Sequence, residues 1–105
     1  MSAPKDKNTF GRRRVLFQQI LNYLIEHPDA KDTVEGILKW WLPGRKIEWG
    51  NEQVQEALDF LVAEGWLVKR ILPSSQELFS LNRKGKKEIE VFLKALESEA
   101  ALKDF

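Results

Sequence analysis

A chain of 105 residues, 43% hydrophobic and 31% charged, has room for one domain around one core, and its composition excludes a disordered or fibrous polymer. With 17 Lys and Arg against 16 Asp and Glu the formal net charge is +1, so bulk attraction to a polyanion does not define it. The absence of cysteine and the single histidine exclude disulfides, thiolate chemistry and zinc sites built on Cys or clustered His.

In chain order, residues 1–9 read as a disordered arm, small and charged like many untethered termini. A first helix is expected from about Phe10 to Glu26, where Phe17, Ile20, Leu21 and Leu24 fall at i, i+3, i+4 and i+7 and so share one face. His27-Pro28 ends it, because proline pushes the residue before it out of the helical region. A second helix is expected to start at Asp32 as its cap, with Glu35 three residues on as in a capping box. It turns Val34, Ile37, Leu38 and Trp41 inward and stops at Pro43-Gly44. Arg45 to Glu48 forms a connection with the composition of a brief strand.

Asn51 is placed as the cap of a third helix whose buried stripe is Val54, Ala57, Leu58 and Leu61. Gly65 supplies the left-handed residue of a Schellman ending, after which Trp66 packs back on the helix. Leu67–Leu72 and Glu77–Leu81 then read as two strands around a Pro73-Ser74-Ser75-Gln76 turn, with Phe79 and Leu81 on the same face. A lone hairpin is marginal, so it must lean on the helices. The last helix is expected over Arg83 to Leu102, carrying Ile89, Phe92, Leu93 and Leu96 at helical spacing. Residues 10–105 thus form one mainly helical α+β domain. The charge is divided unevenly along it: residues 1–50 carry nine basic and six acidic groups, residues 51–66 none and four, residues 67–105 eight and six.

Two phrases carry a resemblance. Ala57-Leu58-Asp59-Phe60-Leu61-Val62-Ala63-Glu64-Gly65-Trp66-Leu67-Val68-Lys69-Arg70 and Leu78-Phe79-Ser80-Leu81-Asn82-Arg83-Lys84-Gly85 resemble the segments that bracket the wing in winged-helix regulators of the PadR and MarR kind. Phe79 stands in place of tyrosine and Asn82 in place of threonine, so the likeness reaches the architecture and not a subfamily. It implies a three-helix core, a two-stranded hairpin wing and a C-terminal helix. By the same likeness the third helix enters the DNA major groove, the wing touches the backbone or minor groove, and the final helix pairs two copies into a homodimer.

The residues are weighed against that role on their own chemistry. With the third-helix stripe inward, Glu52, Glu56 and Asp59 point outward, and carboxylates there oppose phosphate. Asn51, Gln53 and Gln55 are the residues suited to base edges, while Arg12, Arg13, Arg14, Arg45, Lys46, Lys69 and Arg70 are the candidate phosphate contacts. The bland account of the same residues is a solvated helix face and ordinary solubilising charge. Trp40 is rotated off the buried face of its helix and Trp49 lies in a loop: the commoner account is that such rings cover a small core from its edges, the sharper one that they are exposed as a contact patch. Together with Glu52, Glu56 and Asp59 they make the alternative surface, one for a protein partner.

No catalytic residues, cofactor or metal are expected. His27 has no nucleophile beside it, and no glycine-rich phosphate loop exists. No apolar run approaches the roughly 20 residues that cross a bilayer, and Met1–Asn8 lacks the apolar core of a signal peptide. The expectation is a cytoplasmic, non-enzymatic module with no membrane association. Its function is DNA binding in transcription regulation, or alternatively protein–protein interaction through the acidic helix face and the tryptophans.

Overall fold

The computed structural model describes the backbone of residues 3–42 and 49–103 and the side chains of residues 13–42 and 49–98. Helix α1 spans Ala3–Glu26, strand β1 Lys31–Asp32, helix α2 Val34–Gly36 with a π-helical continuation Ile37–Trp41, helix α3 Asn51–Ala63, strand β2 Leu67–Ile71, strand β3 Glu77–Leu81, and helix α4 Lys86–Lys103 after a 3-10 turn at Arg83–Gly85. Among the described residues the result is an α+β fold of four helices and one small antiparallel sheet.

Several of these elements differ from the sequence expectation. α1 begins at Ala3 rather than near Phe10, so the helix takes in most of the segment read as an arm; proline is tolerated in a first helical turn, where its missing N–H has no partner to lose. The sheet has three strands, not two, in the order β1-β3-β2, because Lys31 and Asp32 pair with Ser80 and Phe79. A two-residue strand is too short to leave an alternating signature. The strand considered for Arg45–Glu48 lies outside the described residues.

That extra pairing also moves the start of α2. Asp32 is held in the sheet and its Oδ1 accepts the Thr33 N–H at 2.9 Å, which leaves Thr33 as the cap, its Oγ1 accepting from Gly36 N at 3.3 Å. α3 is likewise capped one residue earlier than expected. Gly50 is the N-cap, its N–H donating to Gln53 Oε1 at 2.9 Å, and Asn51 is the first helical residue.

At the other end of α3 the expected Schellman geometry is present. Gly65 sits at φ 85°, its N–H donates to Val62 O at 2.9 Å, and Trp66 N–H donates to Leu61 O at 3.1 Å. The chain turns there into β2. Between β2 and β3, Ser75 takes a left-handed conformation at φ 74° and its N–H closes the turn on Leu72 O at 2.8 Å. Pro73 lies at the second position of that turn, where its fixed φ suits the bend.

One apolar core joins every layer. Leu16, Ile20, Leu21 and Leu24 of α1, Ile37 and Trp41 of α2, Val54, Ala57, Leu58 and Leu61 of α3, Phe79 and Leu81 of β3, and Ile89 and Leu93 of α4 are all buried. The α3 stripe is the expected one. In α1 Leu16 takes the fully buried place assigned to Phe17, which sits at the margin of the core. Of the α4 set, Phe92 is only partly buried and packs on the core from its edge.

A candidate interaction surface on the third helix

The Schellman corner fixes where α3 stands relative to the hairpin, and the buried stripe fixes which face looks outward. Glu52, Glu56 and Asp59 are exposed, as their spacing requires. Gln53 is exposed as well, but its side-chain oxygen is occupied by the Gly50 N–H. Asn51 lies at the helix start, exposed, with no capping role.

Gln55 does not join the outward face. It is half-buried against the hairpin, its Nε2 donating to Glu77 Oε1 at 2.9 Å and to Asp59 Oδ1 at 3.2 Å. Lys69 of β2 completes this cluster, with Nζ 3.5 Å from Glu77 Oε2 and 3.8 Å from Asp59 Oδ1. The register explains the meeting: Lys69 is opposite Phe79, so it shares the inner face of the sheet with that buried ring and points toward α3. A residue expected to contact phosphate is instead turned onto two carboxylates.

A second pair has the same character. Arg13 of α1 donates from Nη2 to Glu56 Oε1 at 3.3 Å. Arg14 is half-buried and lines the groove described below. Arg70 is exposed on β2. Arg45, Lys46 and the side chain of Arg12 lie outside the described residues.

The two tryptophans part company. Trp40 is 64% exposed, with Lys39 Nζ 5.9 Å from its ring centroid. Trp49 is buried at the core edge, and its indole N–H donates to Gln19 Oε1 at 3.2 Å. The physical reason is that a loop tryptophan can fill a core edge if its one polar atom finds a partner, and α1 supplies that partner.

Beside the acidic face runs a groove of about 740 Å³ between α1, α3 and α4. Phe17, Ala57, Phe60, Phe92, Ala95 and Leu96 make its apolar walls, and Arg13, Arg14, Gln53, Glu56 and Asp59 stand at its rim. Phe60 is 46% exposed and stacks on Phe17 with centroids 5.0 Å apart. Sequence reasoning passed over Phe60. The available signal was a large aromatic ring between outward Asp59 and buried Leu61, a position that straddles the helix boundary.

No group of His, Asp and Glu among the described residues is arranged to hold a metal, and no described helix is long and apolar enough to cross a membrane. Compared with protein-family models, with curated proteins and with solved structures, the chain gives no match.

Proposed function

We propose that this chain is a winged-helix protein–protein interaction module whose partner meets the outward face of α3 and the adjoining groove. The element order supports the winged-helix part: three helices, a short strand between the first two, a hairpin, and a closing helix on one core. The single observation that carries the interaction part is the electrostatic state of α3. Glu52, Glu56 and Asp59 line its exposed face, and two of the candidate phosphate contacts, Arg13 and Lys69, lie against carboxylates.

Such a surface opposes a duplex, which presents about one negative charge per 1.7 Å and draws most of its affinity from freed lysine and arginine. A protein surface with basic and apolar groups meets it without that penalty. Phe60 and the groove beside it supply the apolar anchor that productive interfaces concentrate at their centre.

The DNA reading keeps one supporting observation, the exposed cations Arg70, Lys84, Lys86 and Lys87 on the hairpin and at the start of α4. One pair of experiments separates the two. Glu52→Lys with Glu56→Lys is expected to abolish retention of a host-lysate partner while the far-UV circular dichroism stays unchanged. The wild-type protein is expected to give no saturable shift of mixed-sequence duplex at low salt. Duplex binding that weakens steeply with added salt, and strengthens in the double variant, overturns the protein-interaction reading in favour of the nucleic-acid one.

A further inference from the structure

β2 is an edge strand. In the order β1-β3-β2 it has a partner on one side only, and the register shows which of its backbone groups face outward. Leu72 N–H donates to Gln76 O and Asn82 N–H to Trp66 O, each at the ends of the β2–β3 ladder. Antiparallel ladders alternate bonded and non-bonded pairs, so Val68 and Arg70, opposite Ser80 and Leu78, bond inward to β3. The N–H and C=O groups of Leu67, Lys69 and Ile71 therefore point away from the sheet.

Exposed edges are ordinarily guarded by an outward lysine, a proline, a bulge or a covering element. Here the guard is displaced: Lys69 Nζ is drawn inward to Glu77 and Asp59. Proline is absent from Leu67–Ile71, and its pairing with β3 runs without a bulge. Two aliphatic side chains are left open on the same strand, Val68 at 46% and Ile71 at 67% exposure. Arg70, exposed between them, makes no ion pair with any described residue.

We propose that the outer edge of β2 receives an extended acidic segment of a partner protein as a fourth strand. The outward amides and carbonyls supply the ladder; Arg70 shares one face of the strand with Val68 and selects a carboxylate there, and Ile71 on the other face takes the aliphatic side chains that alternate with it. A second copy of this chain is the poorer occupant. Full antiparallel overlap of two β2 edges, centred on Lys69, sets Val68 opposite Arg70 of the copy and offers neither arginine a carboxylate on the edge.

The test uses the full chain and a short synthetic peptide alternating valine with glutamate, compared with one alternating valine with lysine. Amide hydrogen exchange is read residue by residue. The acidic peptide is expected to slow exchange at Leu67, Lys69 and Ile71 and to leave Val68 and Arg70, already bonded to β3, unchanged. Arg70→Glu is expected to reverse the preference between the two peptides. Ile71→Pro removes one outward N–H without touching the inner ladder and is expected to weaken binding about five-fold, the worth of one backbone hydrogen bond. Glu52→Lys with Glu56→Lys is expected to leave this binding intact, which separates it from the surface on α3. Unchanged exchange at the three outward amides with saturating peptide overturns the proposal. So does protection of the same amides by self-association without peptide, which assigns the edge to a second copy.

Discussion

Gly65 and Gly85 meet across one corner of the molecule and are required for different reasons. Gly65 is needed for its backbone: at φ 85° a side chain is strained, although a Cβ there would touch nothing within 4 Å. Gly85 is needed for space, since a Cβ would lie 3.0 Å from Gly65 O and 3.1 Å from Trp66 Cδ1. Gly65→Ala is therefore expected to cost about 1 kcal/mol from conformation alone. Gly85→Ala forces the first turn of α4 off the corner and is expected to cost about 1–3 kcal/mol, as overpacking does. Urea denaturation at constant m separates the two, and Gly65→Asn is expected to recover part of the first loss because asparagine tolerates the left-handed region.

Ser75 gives the opposite sign. A non-glycine residue held at φ 74° stores strain of order 1 kcal/mol. Ser75→Gly is expected to raise the denaturation midpoint by releasing it, with a gain below about 1 kcal/mol because glycine also widens the unfolded ensemble. A lowered midpoint means that the turn relies on the serine side chain.

At the scale of elements, the π-helical end of α2 carries two adjacent tryptophans with different uses. Ile37–Trp41 is wound more loosely than an α-helix, and it leaves Trp41 in the core and Trp40 in solvent. Trp41 stacks on Tyr23 of α1 at a centroid distance of 4.9 Å. Trp41→Ala is expected to cost about 3–5 kcal/mol, whereas Trp40→Ala falls within about 0.5 kcal/mol of wild type. Thermal melts of the pair measure this contrast.

The corner where α3, β2 and α4 converge is held by polar as well as apolar contacts. Asn82 donates from Nδ2 to Gly65 O at 2.7 Å and accepts the Lys84 N–H at 3.2 Å. Trp66 donates its indole N–H to Glu88 at 2.9 Å and tilts against Phe92. Asn82 thus ties the end of one helix to the start of another. Threonine at this position keeps a capping oxygen but loses the amide donor, so Asn82→Thr is expected to destabilise by about 1 kcal/mol in the same denaturation assay.

For the molecule as a whole, the chain's near-neutral total charge conceals a local arrangement in which carboxylates on α3 gather cations from both neighbours. Arg13 comes from α1 and Lys69 from β2; the Arg13–Glu56 pair is open to water and the Lys69 cluster is partly exposed. Exposed pairs of this kind contribute at most about 1 kcal/mol each and weaken with salt. Their effect on stability is therefore small, and Glu52, with the groove along Phe60, faces outward beside them.

The sequence by itself determined the buried stripe of α3, the Schellman stop at Gly65 and the hairpin with Phe79 and Leu81 inward. Each of these is set by local periodicity or by a residue with a special backbone preference, and both are written in neighbouring letters. Tertiary structure alone decided the rest: the pairing of β1 with β3, the burial of Trp49 against Gln19, and the capture of Gln55 and Lys69 by Glu77 and Asp59. Those contacts join residues far apart in the chain. Which of two exposed-looking side chains meets a partner depends on the position of elements that no local pattern encodes.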